Sequence, residues 1–521
     1  MSTEDKKVSV IIPVYNSGNK IIKCVESLIF GVYKNIEVLL IDDCSTDDSY
    51  QYCEKLAGKF NNVYSYKNKN NSGVSFTRNR GIELSKGDYL VFVDSDDWVS
   101  GEYISSLIVN SEAETDALVI CGILFINEVE HYRTKYVWDD SSREKIILGK
   151  KDYFSLIDKF YIQSPCNKLF NRNIIINYCI KFDVNQTMGE DFQFVLDYLS
   201  KLYSDHCVVI NRALYYYVRY SDTSLMGQFG LKEKNREFIY RLKQLKSIIG
   251  SDDTQTDKIY NKAVENTLNS YAYNICRNAN VEKKEKIEAI ESVMQDGNAE
   301  NHYRHFIKVV KKEALFNKLK ALTSITVKVK NRLIDINCKR IIKKNKKRLK
   351  AKDFSIISQN CIAGVFYHDM GMQFLTPTVN LFFKTDDFIK FVLNLKYYLR
   401  CELVMQWREE YPIGKLDDIK IYFMHYSTCS EAEKAWNRRK QRINFDKIFV
   451  LCTDMEGFNG TLLEQWKKIK YPKLLMSTKR WKDESCWFLE KYSRLECLPD
   501  LIPKREFYSN DQLVSFINAR R

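Results

Sequence analysis

The apolar and polar positions of the first hundred residues fall into two alternating patterns. Mainly apolar runs occupy residues 8–12, 36–41, 63–66 and 89–93, and each has the length of a buried strand. Between the first two runs, apolar residues recur on one face of a predicted helix, at Ile21, Ile22, Val25, Leu28 and Ile29. Strands that are apolar on both faces and separated by helices form parallel sheets covered on both sides. The pattern therefore predicts a doubly wound α/β domain at the N-terminus.

Candidate site residues follow three of the predicted strands directly. They are residues 13–16 after the first strand, Asp42 and Asp43 after the second, and Asp94 and Asp96 after the fourth. The carboxyl ends of parallel strands meet at one edge of a sheet, where ligands of such folds bind. Carboxylates at that edge need a cation or strong hydrogen-bond donors, and they are the ligands that Mg²⁺ and Mn²⁺ prefer. An isolated Asp-x-Asp pattern is more often a solvated turn, but repetition after three strands favours a ligand site.

The composition indicates a globular protein of several domains. A chain of 521 residues with 45% hydrophobic residues is too long for one core. Its 15 cysteines form no C-x-x-C pair, which argues against a disulfide framework and a zinc site. The first residues have no signal-peptide pattern, and no apolar stretch reaches the ~18 residues of a membrane span. We therefore expect a cytoplasmic protein.

The net charge of +14 comes from one segment. Residues 308–352 contain seventeen Lys and Arg and two acidic residues, so the remaining chain is nearly neutral. Part of this segment has the pattern of a basic amphipathic helix that lies on anionic lipid, with apolar residues at Leu315, Phe316, Leu319 and Leu322. A solvated helix between domains is the alternative, and nucleic-acid binding is not expected because interleaved aromatic residues are missing. The sequence thus predicts a peripheral protein at the inner face of the plasma membrane, attached through residues 308–350.

Six short motifs occur in one order and spacing over roughly residues 6–225. They read VSVIIPVYN, IEVLLIDDCSTDDS, NSGVSFTRNRG, YLVFVDSDDW, CNKLF and MGEDFQF. Together they resemble the family 2 glycosyltransferases, whose GT-A fold is a doubly wound, Rossmann-like domain. The resemblance implies an inverting enzyme that takes a sugar from a nucleotide diphosphate sugar, expected to be a UDP-sugar. The acceptor would be a glycan or a lipid-linked molecule in bacterial surface polysaccharide biosynthesis.

The resemblance also implies which residues bind the donor. Asp43 would accept a hydrogen bond from the uracil ring, with Pro13 and Tyr15 lining the nucleoside pocket. The alternative for Asp43 is to cap the helix that follows it. Asp94 and Asp96 would hold a divalent metal, Mn²⁺ or Mg²⁺, against the diphosphate.

Three more donor contacts and the catalytic base follow from the same resemblance. Ser95 lies between the two metal-binding aspartates, and Arg78 and Lys168 would contact phosphates. The alternatives are a charge on a helix surface for Arg78 and a surface lysine that extends into water for Lys168. Asp191 of the GED segment would take the proton of the acceptor hydroxyl. The alternative for Asp191 is an acidic residue at a helix start, where the helix dipole favours negative charge. Asp191 can be both this residue and the base.

The sequence departs from the family at one position. The family often has a third metal ligand, commonly His, after the helix of the base. The corresponding residues 214–226 contain no histidine, which leaves Arg219, Tyr220, Ser221 or Asp222 as replacements. We therefore expect dependence on a divalent metal, with weaker coordination by the protein.

The second half of the chain has its own pattern. From residue 353 short strands alternate with helices, which predicts a second, smaller α/β domain. Its motifs over roughly residues 353–500 resemble a bacterial domain family of unknown function that is associated with exopolysaccharide biosynthesis. Arginines in EKAWNRRKQRIN could bind phosphate or an acidic sugar, or could belong to a surface helix anchored by Trp436.

The predicted organisation has four parts. These are a GT-A domain at 1–230, a helical acceptor-side extension at 231–306, a basic amphipathic linker at 307–352, and a C-terminal α/β domain at 353–521. Two alternatives to a single transferase stay open. The protein could be bifunctional, with a second transferase activity in its C-terminal domain, or it could be an inactive scaffold that binds glycan.

Overall fold

The chain divides into two compact units, residues 1–316 and residues 317–521, and each is described by itself as unit 1 and unit 2. The structure is a computed structural model. It describes residues 6–111, 116–129, 132–139, 142–158, 161–186, 189–220, 231–250, 256–264, 336–407, 410–455 and 457–519.

Unit 1 is built on a sheet of ten strands among the described residues. The order across the sheet is β3-β2-β1-β4-β9-β6-β10-β5, with β7 beside β6 and β8 beside β10. The first four strands of this order run parallel, which confirms the doubly wound α/β fold. The strands are β1 (Val8–Val14), β2 (Ile36–Asp42), β3 (Val63–Lys67), β4 (Tyr89–Phe92), β5 (Trp98–Val99), β6 (Leu118–Asn127), β7 (Tyr132–Tyr136), β8 (Lys145–Gly149), β9 (Lys168–Asn171) and β10 (His206–Arg219).

Helices connect these strands and cover the sheet. Helix α3 (Val74–Leu84) lies so close to the sheet at Gly81 that a Cβ atom there would be 2.3 Å from Cγ2 of Ile11. Glycine in the RNRG segment therefore lets its helix pack directly on β1. The helices of unit 1 are α1 (Lys20–Ile29), α2 (Ser49–Lys59), α3 (Val74–Leu84), α4 (Tyr103–Val109), α5 (Tyr153–Asp158), α6 (Arg172–Asn177), α7 (Glu190–Leu199), α8 (Leu231–Ile249) and α9 (256–264).

Unit 2 contains a parallel sheet, a small antiparallel sheet and surrounding helices, which confirms the predicted second α/β domain. The parallel sheet has the order β11-β15-β16-β17, and β12, β13 and β14 pair antiparallel. Its strands are β11 (Ser355–Ser358), β12 (Val404–Trp407), β13 (Pro412–Leu416), β14 (Ile419–Tyr422), β15 (Ile448–Thr453), β16 (Lys473–Ser477) and β17 (Cys486–Phe488). Its helices are α10 (336–348), α11 (Ile362–Met370), α12 (Thr385–Leu393), α13 (Leu395–Tyr398), α14 (Cys429–Lys440), α15 (Gly460–Lys467) and α16 (Gln512–Asn518).

The described part of the basic segment is helix α10. Ile341 in α10 and Leu349 directly after it pack against a core cluster of unit 2. Asn345 of the same helix is buried. This end of the segment is therefore attached to unit 2. The apolar stripe at Leu315 and Phe316 lies outside the described residues, as does most of the extension at 231–306. Among the described residues, no helix has the length and apolar character needed to cross a membrane.

Candidate active site

Arg78 joins three of the sequence motifs at the carboxyl edge of the sheet. It lies on α3, and its side chain is 4% exposed. Nη2 donates a hydrogen bond to Oδ1 of Asp94 at 2.9 Å, and Nη1 donates to Oδ1 of Asp191 at 2.6 Å. The guanidinium also lies 5.3 Å from the ring centroid of Phe182. The alternative of a surface helix charge is therefore wrong for Arg78, because its cation is buried between two carboxylates.

The charges of this triad depend on one another. Burial alone would lower the pKa of Arg78, but Asp191 and Asp94 raise it above its ordinary value and keep the guanidinium charged. Burial raises the pKa of Asp191 to about 7, although the charge of Arg78 opposes this rise, and Glu190 and Asp94 add to it. Asp191 is thus a carboxylate that changes its protonation state near neutral pH, which suits a general base.

The acidic turn after β4 divides into two parts. Asp97 is 2% exposed, and it accepts hydrogen bonds from the Tyr215 hydroxyl at 2.6 Å and the Val218 backbone N–H at 2.8 Å. Asp97 therefore ties the turn to β10. Asp94 and Asp96 are only partly buried and remain accessible at the edge. Burial and the neighbouring charge of Asp94 raise the pKa of Asp96, whereas Lys20 lowers it.

Asp94 and Asp96 supply the oxygen atoms that a divalent cation would need from the protein. One oxygen of Asp94 is bonded to Arg78, so the protein offers few further ligands. Within the described parts of the chain, no group of three or more His, Cys, Asp or Glu side chains is arranged to hold a metal ion. Two carboxylates completed by phosphate and water are nevertheless a common arrangement for Mg²⁺. The donor set fits such an ion only if the substrate supplies part of its coordination.

The predicted replacements for the third ligand are only partly described. Tyr220 is 37% exposed, and the ammonium group of Lys20 lies 4.1 Å from its ring centroid. Arg219 ends β10. Ser221 and Asp222 lie outside the described residues. Neither described residue supplies a carboxylate or imidazole, so the expectation of weak coordination stays open.

Asp43 holds the loop before α3. Its carboxylate accepts from the backbone N–H groups of Ser72 at 3.0 Å and Gly73 at 2.8 Å, and from Nδ2 of Asn68 at 2.7 Å. Asp43 is 4% exposed. It therefore does not cap the helix that follows it in sequence, α2, because its oxygens are used by a later loop. These bonds leave little free capacity on the carboxylate for a nucleobase.

The other predicted donor contacts lie along the same edge. Tyr15 follows β1 and is 49% exposed, and Pro13 lies within β1 and is partly buried. The Oγ atom of Ser95 is 2.5 Å from Oγ of Ser17, so a hydrogen bond links the acidic turn to the loop after β1. The structure thus brings Pro13, Tyr15 and Ser95 to the edge that carries the aspartates.

Lys168 corrects the prediction from sequence. Its side chain is fully buried in β9, so it is not a surface lysine. The ammonium group donates to the carbonyl oxygens of Ser164 at 2.6 Å and Cys166 at 3.2 Å and to Oδ1 of Asn167 at 2.7 Å. Burial lowers the pKa of Lys168 to about 7. All three hydrogens are used inside the protein, so the ammonium group has none left for a phosphate.

Tyr215 is a site residue that the sequence reasoning missed. It is 1% exposed on β10, and its hydroxyl donates to Asp97 and accepts from the backbone N–H of Asp94 at 3.2 Å. Both bonds fix the turn that carries Asp94 and Asp96. The only sequence signal is its place in the run LYYYVR, which does not distinguish one tyrosine from the next.

The comparisons with known proteins agree with this geometry. Residues 9–179 match the family model described as glycosyl transferase family 2. This part of unit 1 is therefore similar to the family 2 glycosyltransferases. Residues 333–519 match a model described as a domain of unknown function, DUF1919. The expected fusion of these two families is confirmed.

Individual relatives match part of this chain, and each match covers part of the relative's own length. Glycosyltransferase GlyA of Streptococcus pneumoniae is 31% identical over 224 residues, which are 41% of this chain and 30% of GlyA. The minor teichoic acid biosynthesis protein GgaB of Bacillus subtilis is 29% identical over 232 residues, which are 44% of this chain and 24% of GgaB. The chain thus spans less than a third of either relative. A solved structure of Staphylococcus aureus TarS 1-349 in complex with UDP-GlcNAc has 20% identity and a TM-score of 0.44, covering 56% of this chain and 81% of that one.

One arginine of the arginine motif of unit 2, Arg439, takes part in domain packing. Most of the motif lies on helix α14, where Trp436 is 1% exposed. Arg439 donates to the hydroxyl of Tyr426 and to the carbonyl oxygen of Val379. This geometry agrees with the alternative of a surface helix anchored by Trp436.

Proposed function

We propose that unit 1 transfers a sugar from a nucleoside diphosphate sugar to a hydroxyl acceptor with inversion at the anomeric carbon. The observation that carries this proposal is the Arg78 bridge between Asp94 and Asp191. It joins the carboxylate expected beside the donor diphosphate to the carboxylate expected beside the acceptor. A transferase needs these two groups on either side of one anomeric carbon.

In the proposed reaction, Asp191 accepts the proton of the acceptor hydroxyl. The acceptor oxygen attacks the anomeric carbon, and the bond from that carbon to the phosphate oxygen breaks. The nucleoside diphosphate leaves on the opposite face. A base with a pKa of about 7 combines a useful ionised fraction with enough basicity for this step.

The donor would lie along the carboxyl edge beside β1, β2 and β4. We assign the nucleoside to the neighbourhood of Pro13, Tyr15 and Asp43, with uridine as the expected nucleoside. Tyr15 is exposed enough to contact a base, whereas Asp43 would act mainly by holding the 72–73 loop in place. Ser95 would keep the acidic turn against the first loop.

We further propose that Asp94 and Asp96 hold a divalent cation, Mn²⁺ or Mg²⁺, together with the donor diphosphate. Such an ion offsets the negative charge that develops on the leaving nucleotide. Arg78 supplies a second, permanent positive charge on the side facing Asp191. Arg78 would therefore place a fixed positive charge between the donor diphosphate and the Asp191 carboxylate, which would otherwise repel each other.

The acceptor is proposed to be a glycan or lipid-linked molecule of bacterial surface polysaccharide. The similarity to GgaB, whose name places that protein in minor teichoic acid biosynthesis, supports this class. We also propose a cytoplasmic protein that associates with the inner face of the plasma membrane through residues 308–350. The charge of this segment supports electrostatic attraction to anionic lipid.

Removing a proposed metal ligand should abolish donor cleavage. The full-length protein is incubated with a panel of UDP-, GDP- and dTDP-sugars. We expect slow release of the nucleotide from one of these donors with Mn²⁺ and no release with EDTA. Asp96→Ala should lose this release, whereas Asp183→Ala, which removes an exposed acid elsewhere in unit 1, should retain it. Metal-independent release, or an active Asp96→Ala protein, would contradict the metal assignment.

Neutralising the base should reduce turnover without weakening donor binding. Asp191→Asn is expected to lower kcat by about 10²- to 10⁴-fold, because it removes the proton acceptor. Glu190→Gln, on the same helical turn, should retain most of kcat but lower the kinetic pKa, because the charge of Glu190 raises the pKa of Asp191. The base must be ionised, so kcat/KM of the wild type should rise with pH through about 7 and then level off. A flat pH profile together with a fully active Asp191→Asn protein would remove Asp191 from the mechanism.

The membrane assignment predicts salt-dependent binding to anionic vesicles. Changing Lys311, Lys312, Lys318 and Lys320 together to Gln should release the full-length protein from phosphatidylglycerol vesicles, because it removes four positive charges. Co-sedimentation measures the bound fraction, and phosphatidylcholine vesicles serve as the control. Equal binding of wild type and variant would refute the assignment.

A further inference from the structure

Helix α8 packs against α7, the helix whose first turn carries Asp191. One face of α8 contributes Leu242, Leu245 and Ile249 to the core of unit 1. The ring centroid of Phe238 lies 5.6 Å from that of Phe192 on α7. The two helices therefore share an apolar contact next to the proposed base.

Arg241 places a cation within this apolar contact. Arg241 is 2% exposed, and its Nε donates a hydrogen bond to the carbonyl oxygen of Gly189 at 2.9 Å. Gly189 is the N-cap of α7, and the same carbonyl accepts the backbone N–H of Gln193 at 3.0 Å. Arg241 thus binds the peptide that starts the first turn, two residues before Asp191.

The absence of a side chain at Gly189 leaves room for this guanidinium. Its φ of +73° lies in the left-handed region, which side chains rarely adopt. A Cβ atom at this position would lie 2.8 Å from Cζ of Arg241. The glycine of the GED segment therefore serves both the turn and the close approach of Arg241.

The position is unfavourable for a cation on electrostatic grounds. The N-terminal end of a helix carries partial positive charge, and a buried charge is costly unless it is paired. Acidic side chains of α7 offset this cost. Burial raises the pKa of Asp197, and a hydrogen bond from Gln193 and the charges of Lys201 and Arg241 lower it. An apolar residue at this position could fill the contact with α7 but could not donate the hydrogen bond to the Gly189 carbonyl oxygen.

We propose that Arg241 is a positioning residue that fixes the first turn of α7 and thereby sets where the Asp191 carboxylate lies. Arg78 holds the Asp191 carboxylate, and Arg241 holds the Gly189 carbonyl oxygen at the start of the same turn. This inference rests on the proposed function, because Arg241 acts through the base. It also makes α8 part of the catalytic unit.

A double-mutant cycle tests the proposal. Nucleotide release from the donor is measured for full-length wild type, Arg241→Gln and Arg241→Lys, each also combined with Asp191→Asn. Lys243→Gln, an exposed position on the same helix, is the control. We expect Arg241→Gln to lower kcat by about tenfold or more with an unchanged donor KM, because a misplaced base costs rate rather than binding. Arg241→Lys should fall between that variant and wild type.

In the Asp191→Asn background, Arg241→Gln should cause no further loss, because residues that act as one unit are not additive. An equal fold loss in both backgrounds, or a wild-type kcat for Arg241→Gln, would overturn the positioning role. If Arg241→Gln does not fold, Arg241→Lys completes the same cycle with the charge retained. Wild-type turnover of Asp191→Asn alone would instead refute the proposed function.

Discussion

The site depends on a buried guanidinium that bridges two carboxylates from distant parts of the chain. Without Arg78, Asp94 and Asp191 would face each other across a partly buried edge with no cation between them. Leaving one charge of such a group unpaired is strongly destabilising, whereas the complete group is tolerated. The same contact keeps Asp191 partly ionised near neutral pH, since burial raises its pKa and Arg78 opposes that rise. Structural stability and the proposed chemistry therefore rest on one side chain.

The fold supplies this arrangement through the direction of its strands. β1, β2 and β4 run parallel, so the loops that follow them meet at one edge. Within the acidic turn, the three aspartates have different tasks. Asp97 is bonded to Tyr215 and Val218 and anchors the turn, which leaves Asp94 and Asp96 exposed to a ligand. A strand that ends in three acidic residues is thus stable because β10 holds Asp97 and Arg78 holds Asp94.

Periodicity in the sequence was sufficient to predict the first four strands of unit 1, but it could not predict which side chains contact each other. The apolar runs predicted β1, β2, β3 and β4, because burial on both faces leaves a continuous pattern. Arg78 and Asp191 are 113 residues apart, and no local pattern reports a contact over that separation. Asp43 illustrates the same limit, because its carboxylate bonds a loop about thirty residues later instead of the adjacent helix.

Burial of single polar residues was equally hidden from the sequence. A lysine such as Lys168 has the same letter whether its ammonium group meets water or three oxygen atoms inside the protein. Tyr215 and Arg241 each form a hydrogen bond with a backbone atom, and such bonds leave no mark in composition or spacing. A donor side could be proposed from motifs because several aspartates recur after strand ends. The residues that orient them could be found only from coordinates.

The central claim is that Arg78 couples Asp94, the carboxylate proposed to lie beside the donor, to Asp191, the proposed base. The most direct measurement is the pH profile of nucleotide release by Arg78→Met, recorded with a Mn²⁺ titration at each pH. The account predicts that the kinetic pKa rises above its wild-type value near 7, by about one unit or more, because an opposing charge is removed. It also predicts that the concentration of Mn²⁺ needed for half-maximal rate changes in the same variant. An unchanged kinetic pKa together with an unchanged Mn²⁺ dependence would contradict the account.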